Sequence, residues 1–169
     1  GKGSIMERYN GPGAKVYGCT MEGRLAVARI FSFQGGLTLQ RSRYDVAKSW
    51  SDDDKVAPER EMFRSPNFYG YMVARYTPFR NFDIDLSGTY TGSMLTPHMK
   101  GSGTDVDVAV RTPSFWDMSC KIGYEFDIMG ICRLKLYTGV KNIFNSYQKD
   151  FDKGEGRDSG YIYGPSLPR

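Results

Sequence analysis

Hydrophobic and polar residues alternate along much of this chain. From Trp116 to Ile128 the even positions are Trp116, Met118, Cys120, Ile122, Tyr124, Phe126 and Ile128, and the odd ones are Asp117, Ser119, Lys121, Gly123, Glu125 and Asp127. A period of 3.6 would carry charges into the apolar stripe within one turn, so the segment reads as a strand and not a helix. The pattern returns at Cys132, Leu134, Leu136, Thr138 and Val140, at Phe82, Ile84, Leu86, Gly88 and Tyr90, and at Phe31, Phe33, Gly35, Leu37 and Leu39. Two fainter copies run from Tyr17 to Val27, with odd residues apolar, and from Phe68 to Pro78, with even residues apolar. Six strands are therefore expected, with the start of a seventh at Tyr161.

The connections alternate between short and long. Phe79-Arg80-Asn81 joins the third and fourth strands, and Ile128-Met129-Gly130 joins the fifth and sixth. Paired residues in an antiparallel hairpin share a face, so even must meet even, which calls for an odd loop. Three-residue loops want a left-handed residue at the end, and Asn81 and Gly130 tolerate that conformation. The stretches Asp45 to Pro66, Pro97 to Pro113 and Ser146 to Gly160 are long and polar, which is unusual inside a compact domain. Pro58 before Glu59-Arg60-Glu61-Met62-Phe63 suggests a short helix in the first of them. Short turns at one end and long loops at the other are the habit of outer-membrane barrels.

Alternation does not say which way the apolar face points. A soluble barrel turns it inward, a membrane barrel outward. Outward is favoured here by three features: Lys121, Glu125, Asp127, Arg133, Lys135 and Lys141 crowd the opposite face, the clearest apolar stripes carry no charge, and aromatics such as Phe82, Tyr90, Trp116 and Phe126 sit near strand ends. Composition does not oppose this. The 169 residues are 40% hydrophobic, 25% charged and 14% aromatic, too aromatic for disorder, and strands that show every second residue to lipid look soluble on average. No run of 18 apolar residues is present to make a transmembrane helix. The net charge of +4 is not gathered into a basic block, so no nucleic-acid partner is expected. Cys19, Cys120 and Cys132 fall on the apolar face and read as small hydrophobes; a three-residue hairpin at Ile128 to Gly130 would set Cys132 against Phe126 and Cys120 against Thr138. Their spacing fits no zinc pattern, and no metal or cofactor is expected.

A closed barrel needs at least eight strands. The whole of 1–169 is accordingly expected to be part of a larger barrel, and Gly1-Lys2-Gly3-Ser4, which lacks the zones of a signal peptide, fits an excised piece. The fold class expected is all-β: antiparallel up-and-down strands forming part of a transmembrane β-barrel, about six strands plus the start of a final one.

The C-terminal sequence sharpens this. Lys141-Asn142-Ile143-Phe144-Asn145-Ser146-Tyr147-Gln148-Lys149-Asp150-Phe151-Asp152-Lys153-Gly154, followed by Arg157-Asp158-Ser159 and by Tyr161 to Arg169, resembles the C-terminal end of TonB-dependent outer-membrane receptors; within it Lys141 to Asn145 resembles their penultimate strand and Tyr163-Gly164-Pro165-Ser166-Leu167-Pro168-Arg169 the entry to their final strand. Arg64-Ser65-Pro66-Asn67-Phe68-Tyr69-Gly70-Tyr71 and Tyr90-Thr91-Gly92-Ser93-Met94-Leu95-Thr96-Pro97-His98 resemble the versions found in Bacteroidota receptors. The resemblance implies the closing segment of a 22-stranded barrel in the outer membrane of a Gram-negative bacterium, taking up a scarce nutrient with energy from the inner-membrane TonB complex. Its partners would be outer-membrane lipid, TonB through a plug domain, and a small to medium ligand: siderophore, haem or cobalamin first, glycan or peptide with a lipoprotein lid second. The plug, the TonB box and the end of the last strand are missing from this sequence. A soluble β-barrel that binds a hydrophobic ligand and a porin-like passive channel are the competing readings.

No catalytic role is expected, because no nucleophile elbow, phosphate loop or metal-ligand cluster is present. His98, the single histidine, reads as a loop residue held by local hydrogen bonds or, in a haem receptor, as an axial ligand. Ser51-Asp52-Asp53-Asp54 lacks the spacing and glycine of a calcium loop and reads as a solvated loop tip. Tyr44, Trp50 and Tyr163 read as interfacial anchors or as an aromatic rim for a large flat ligand. Arg157 and Asp158, with Asp150 and Asp152, are expected to tie down the last long loop through ion pairs. Pro165 and Pro168 suit the start of a strand, where no ladder donor is needed.

Overall fold

Three hairpins, each closed by a tight turn, make up the main sheet. The structure, a computed structural model, describes residues 13–101 and 104–166; Gly1 to Ser4, Leu167, Pro168 and Arg169 lie outside the described residues. The strands are β1 (Ala14–Val27), β2 (Phe31–Lys48), β3 (Glu59–Glu61), β4 (Phe68–Phe79), β5 (Phe82–Thr91), β6 (Leu95–His98), β7 (Val108–Arg111), β8 (Phe115–Ile128) and β9 (Cys132–Val140). Six of them form one antiparallel sheet in the order β1-β2-β4-β5-β8-β9, β3 attaches to β2, and β6 and β7 pair separately. The fold is all-β and up-and-down, and no helix forms among the described residues.

The turns differ in detail from the expected ones. The β8–β9 loop is Met129 to Ile131, because Ile128 faces Cys132; Cys120 therefore meets Val140, and neither thiol has the partner expected for it. Moving the loop by one residue moves every partner by two, so even still meets even and the faces are unchanged. In the β4–β5 turn only Arg80 and Asn81 separate the paired Phe79 and Phe82, a spacing that sets odd against even. An irregularity between Tyr76 and Phe79 restores the parity, so Tyr76 faces Ile84. It falls at Pro78, which has no N–H to give to a ladder. The left-handed turn residues are Ala28, Met129 and Gly130, not Asn81.

Two further expectations are corrected. Glu59–Glu61 is strand, not helix: β2 runs on to Lys48, and β3 supplies its ladder partners at Arg43 and Lys48. Tyr161 to Ser166 does not start a strand, because the Gln148 side chain takes the backbone groups a ladder would use. Its amide donates to Tyr161 O at 3.1 Å and its carbonyl accepts the Tyr163 N–H at 3.0 Å.

Register carries the six apolar stripes to one face. Leu25 faces Phe33, Phe33 faces Ala74, Ala74 faces Leu86, Leu86 faces Cys120 and Cys120 faces Val140, an unbroken apolar row across all six strands. No layer of the described chain covers that row. Leu25, Leu37 and Leu136 are 55%, 52% and 54% exposed. The accessible surface is 12670 Å², whereas a compact monomer of 19.1 kDa exposes ~8,400 Å². The buried apolar residues Met94, Leu95, Phe115 and Tyr161 all lie at the loop end, away from the stripes. That end carries the three long connections, and the other carries the three tight turns.

Candidate functional site

The loop end is where the chain builds an interior. The β6–β7 hairpin packs against the segment after β9 through His98, whose Nε2 lies 2.9 Å from both carboxylate oxygens of Asp152. The His98 ring stacks on Tyr161 with centroids 3.9 Å apart and planes 10° from parallel. Asp152 also accepts the Asp158 N–H at 3.0 Å, and Asp158 in turn accepts the N–H groups of Met99 and Gly160. The His98 bond first, then the Asp158 N–H, holds the Asp152 carboxyl below the usual carboxylate range. Asp150 accepts the hydroxyls of Tyr161 and Tyr163. Burial, then the bond to Asp150, pushes the Tyr161 phenol up to about 12 and raises that of Tyr163 as well. Arg64 reaches across to Gly160 O at 2.5 Å.

The predicted site residues part company here. His98, Asp150, Asp152, Asp158 and Tyr163 belong to one cluster joined by Tyr161. Arg157 is exposed and makes no ion pair among the described residues, so hydrogen bonds, and not Arg157, tie the segment down. Trp50 stands elsewhere, its Nε1 donating to Ala57 O at 3.2 Å and its ring edge-on to Phe63 at 5.1 Å. Tyr44 lies in β2 under the Lys48 ammonium, 5.6 Å away. No contact joins Tyr44, Trp50 and Tyr163 into a rim among the described residues. His98 is 7% exposed, and a haem iron approaching its Nε2 would have to displace Asp152. Of the Asp52–Asp54 run, Asp53 accepts the Lys55 N–H at 3.0 Å, closing a local turn.

Two groups escaped the sequence reading. Gln148 is 1% exposed and organises both ends of its loop; a glutamine in a polar stretch carries no signal of that role. Asp107 accepts from the Ser51 hydroxyl at 2.5 Å and the Lys100 N–H at 2.7 Å, and those two bonds, the hydroxyl first, lower its carboxyl pKa.

The polar face of the sheet forms a second constellation. Arg75, Asp85 and Lys121 are consecutive cross-strand partners, with Arg75 Nε 2.5 Å and Lys121 Nζ 3.0 Å from Asp85. Lys135 Nζ lies 2.5 Å from Asp83, and Tyr137 receives Lys121 and Lys135 over its ring at 4.9 and 5.2 Å. Among the described residues Asp83 Oδ2 is buried without a hydrogen-bond partner, and it lies 2.8 Å from where a Cβ on Gly123 would stand, so a larger residue there would force this carboxylate to shift. Lys121, Tyr137 and Lys141 help line a groove of about 460 Å³ on this face. Arg75, Asp85 and Lys121, and likewise Asp83 and Lys135, pair opposite charges across neighbouring strands, the arrangement of a polar wall. Among the described residues no group of three His, Cys, Asp or Glu could hold a metal ion. No protein-family model, curated protein or solved structure matches this chain.

Proposed function

We propose that this chain is the C-terminal part of the barrel wall of a TonB-dependent outer-membrane receptor, importing a scarce nutrient of the siderophore, haem or cobalamin class. The observation that carries the reading is the bare apolar face of the sheet and the way it is bounded. At the loop end, Phe68, Tyr90 and Trp116 form a row with centroids 5.2 and 4.7 Å apart. At the turn end, Phe82, Tyr124 and Phe126 form another, at 6.4 and 4.6 Å. At about 3.4 Å per residue, Phe82 to Tyr90 spans ~27 Å of strand and Trp116 to Phe126 ~34 Å. Tilted by about 40°, these become ~21 and ~26 Å, against an apolar band of about 25 Å in outer-membrane barrels. Between the rows none of the six stripes holds a charge, consistent with a cost of ~2–4 kcal/mol for Arg or Lys at the bilayer midplane.

The rest of the molecule fits that setting. The polar face would line the lumen, and the long loops with their buried core would meet the ligand from outside. Uptake would need no reacting group in this chain, since TonB supplies the energy through the plug. The test is genetic. Coding sequence upstream of Gly1 should specify a plug and the remaining strands, and deleting the gene should abolish growth on one of siderophore-iron, haem or cobalamin while sparing growth on glycans and peptides. A start codon at this position would sink the receptor reading; loss of glycan or peptide growth alone would move the ligand to the second class.

A further inference from the structure

β1 and β2 continue beyond the aromatic row, and there the character of the apolar face changes abruptly. Its odd positions on β2 run Phe31, Phe33, Gly35, Leu37, Leu39 and then Arg41 and Arg43. Leu39 is the cross-strand partner of Phe68, where the row begins, so Arg41 stands one same-face step, ~7 Å, further out. Tyr17 is the partner of Arg41, and Lys15 that of Arg43. The flanking acids are already engaged: Asp45 holds Lys15 at 3.1 Å, and Glu61, the partner of Arg43, holds Arg111 at 2.8 Å. Arg41 and Arg43 are exposed and make no ion pair among the described residues. Two unneutralised guanidinium groups thus project from a rigid strand, on the face of the apolar band and just past its edge.

We propose that Arg41 and Arg43 form a binding site for the phosphate groups of membrane lipid headgroups at the outer boundary of the band. This inference rests on the membrane reading above. The chemistry is specific to that place. A guanidinium pairs bidentately with phosphate. Its aliphatic stem lies along apolar surface while the head stays at the interface. Basic groups near an anionic surface gain attraction that fades within a Debye length. The same charges inside the band would be expelled; one step beyond it, they meet the layer where lipid phosphates sit.

Flotation with two kinds of vesicle separates this inference from the reading beneath it. One kind is phosphatidylcholine alone and the other contains phosphatidic acid; the proteins are the wild-type chain, the Arg41→Gln/Arg43→Gln double variant, and Arg24→Gln on the polar face as a charge control. Wild type should float with both and prefer the anionic vesicles by roughly thirtyfold at low salt. The double variant should float with both and lose most of that preference, and Arg24→Gln should keep it. Flotation with neither vesicle overturns the membrane reading itself. Equal preference in wild type and double variant, or an equal loss in Arg24→Gln, overturns the lipid site alone. Inorganic phosphate abolishing the preference at a concentration where sodium chloride of equal ionic strength leaves it intact would assign the arginines to a soluble phosphate and overturn the lipid source.

Discussion

The sheet and the loop end of this molecule are organised in opposite ways. In the sheet, neighbouring strands are laddered, but most side chains of the apolar face stay accessible, and the apolar row from Leu25 to Val140 has nothing of the described chain above it. In the loops regular structure is scarce, yet Thr96 is fully buried and Tyr161 is 3% exposed. Hydrophobic burial normally drives folding. Here the chain applies it to the loops and leaves the sheet to be completed by its surroundings. The difference teaches that regular structure and a hydrophobic core are separable, and that the missing stabilisation of the sheet has to come from what covers its apolar face.

Substitutions in the two regions should therefore respond differently to environment. Phe115→Ala removes a buried ring from the loop core, where Tyr163 packs 5.9 Å away, and should lower local stability by about 3–5 kcal/mol. Hydrogen exchange should report faster exchange of the β6–β7 hairpin and residues 146–164, in detergent and in bilayers alike, with the six-stranded sheet beyond the start of β8 unaffected. Leu86→Arg tests the other region. In a bilayer it should destabilise by about 2–4 kcal/mol in a denaturant titration. A change within about 0.5 kcal/mol, as for an ordinary surface site, would remove the lipid from the account.

Titration sharpens the comparison at smaller amplitude. The Tyr161 phenol, at 10.0 when unfolded and about 12 in the fold, contributes stability that is complete below 10.0 and is lost as pH rises toward 12. The loop end should open over that alkaline window while the sheet retains its circular dichroism, and Tyr161→Phe should abolish the Tyr161 part of the response. On the acid side, Asp152 has a depressed value, so its contribution is present above the ordinary carboxylate range and disappears as pH falls through the folded value. Asp152→Asn should flatten that acid limb, a smaller effect read from the exchange of the Asp158 amide.

Most of the sheet was legible because period two needs only contrast between faces, and Trp116 to Ile128 supplies it over thirteen positions. Legibility failed where contrast failed. β2 reads as ending at Gln40 because Arg41, Arg43 and Asp45 occupy the apolar-face positions, although its ladder continues to Lys48. β3, β6 and β7, at three or four residues, are too short to display a period. The β4–β5 ladder keeps the partners that a Phe79-Arg80-Asn81 loop implies, Tyr76 with Ile84, whereas the β8–β9 hairpin keeps its parity but shifts its partners by two, since parity fixes the face and leaves such shifts open. The loop cluster was legible only as separate residues: His98 and Asp152 are 54 positions apart, and no local pattern announces such a contact.

The central claim, that lipid covers the apolar face, can be tested at Cys120, which lies within that face between Leu86 and Val140. With Cys19 and Cys132 replaced by serine, a nitroxide on Cys120 of the bilayer-reconstituted chain should collide freely with dissolved oxygen and scarcely at all with a water-soluble nickel chelate. Chelate collisions exceeding those with oxygen would place this face in water and contradict the account.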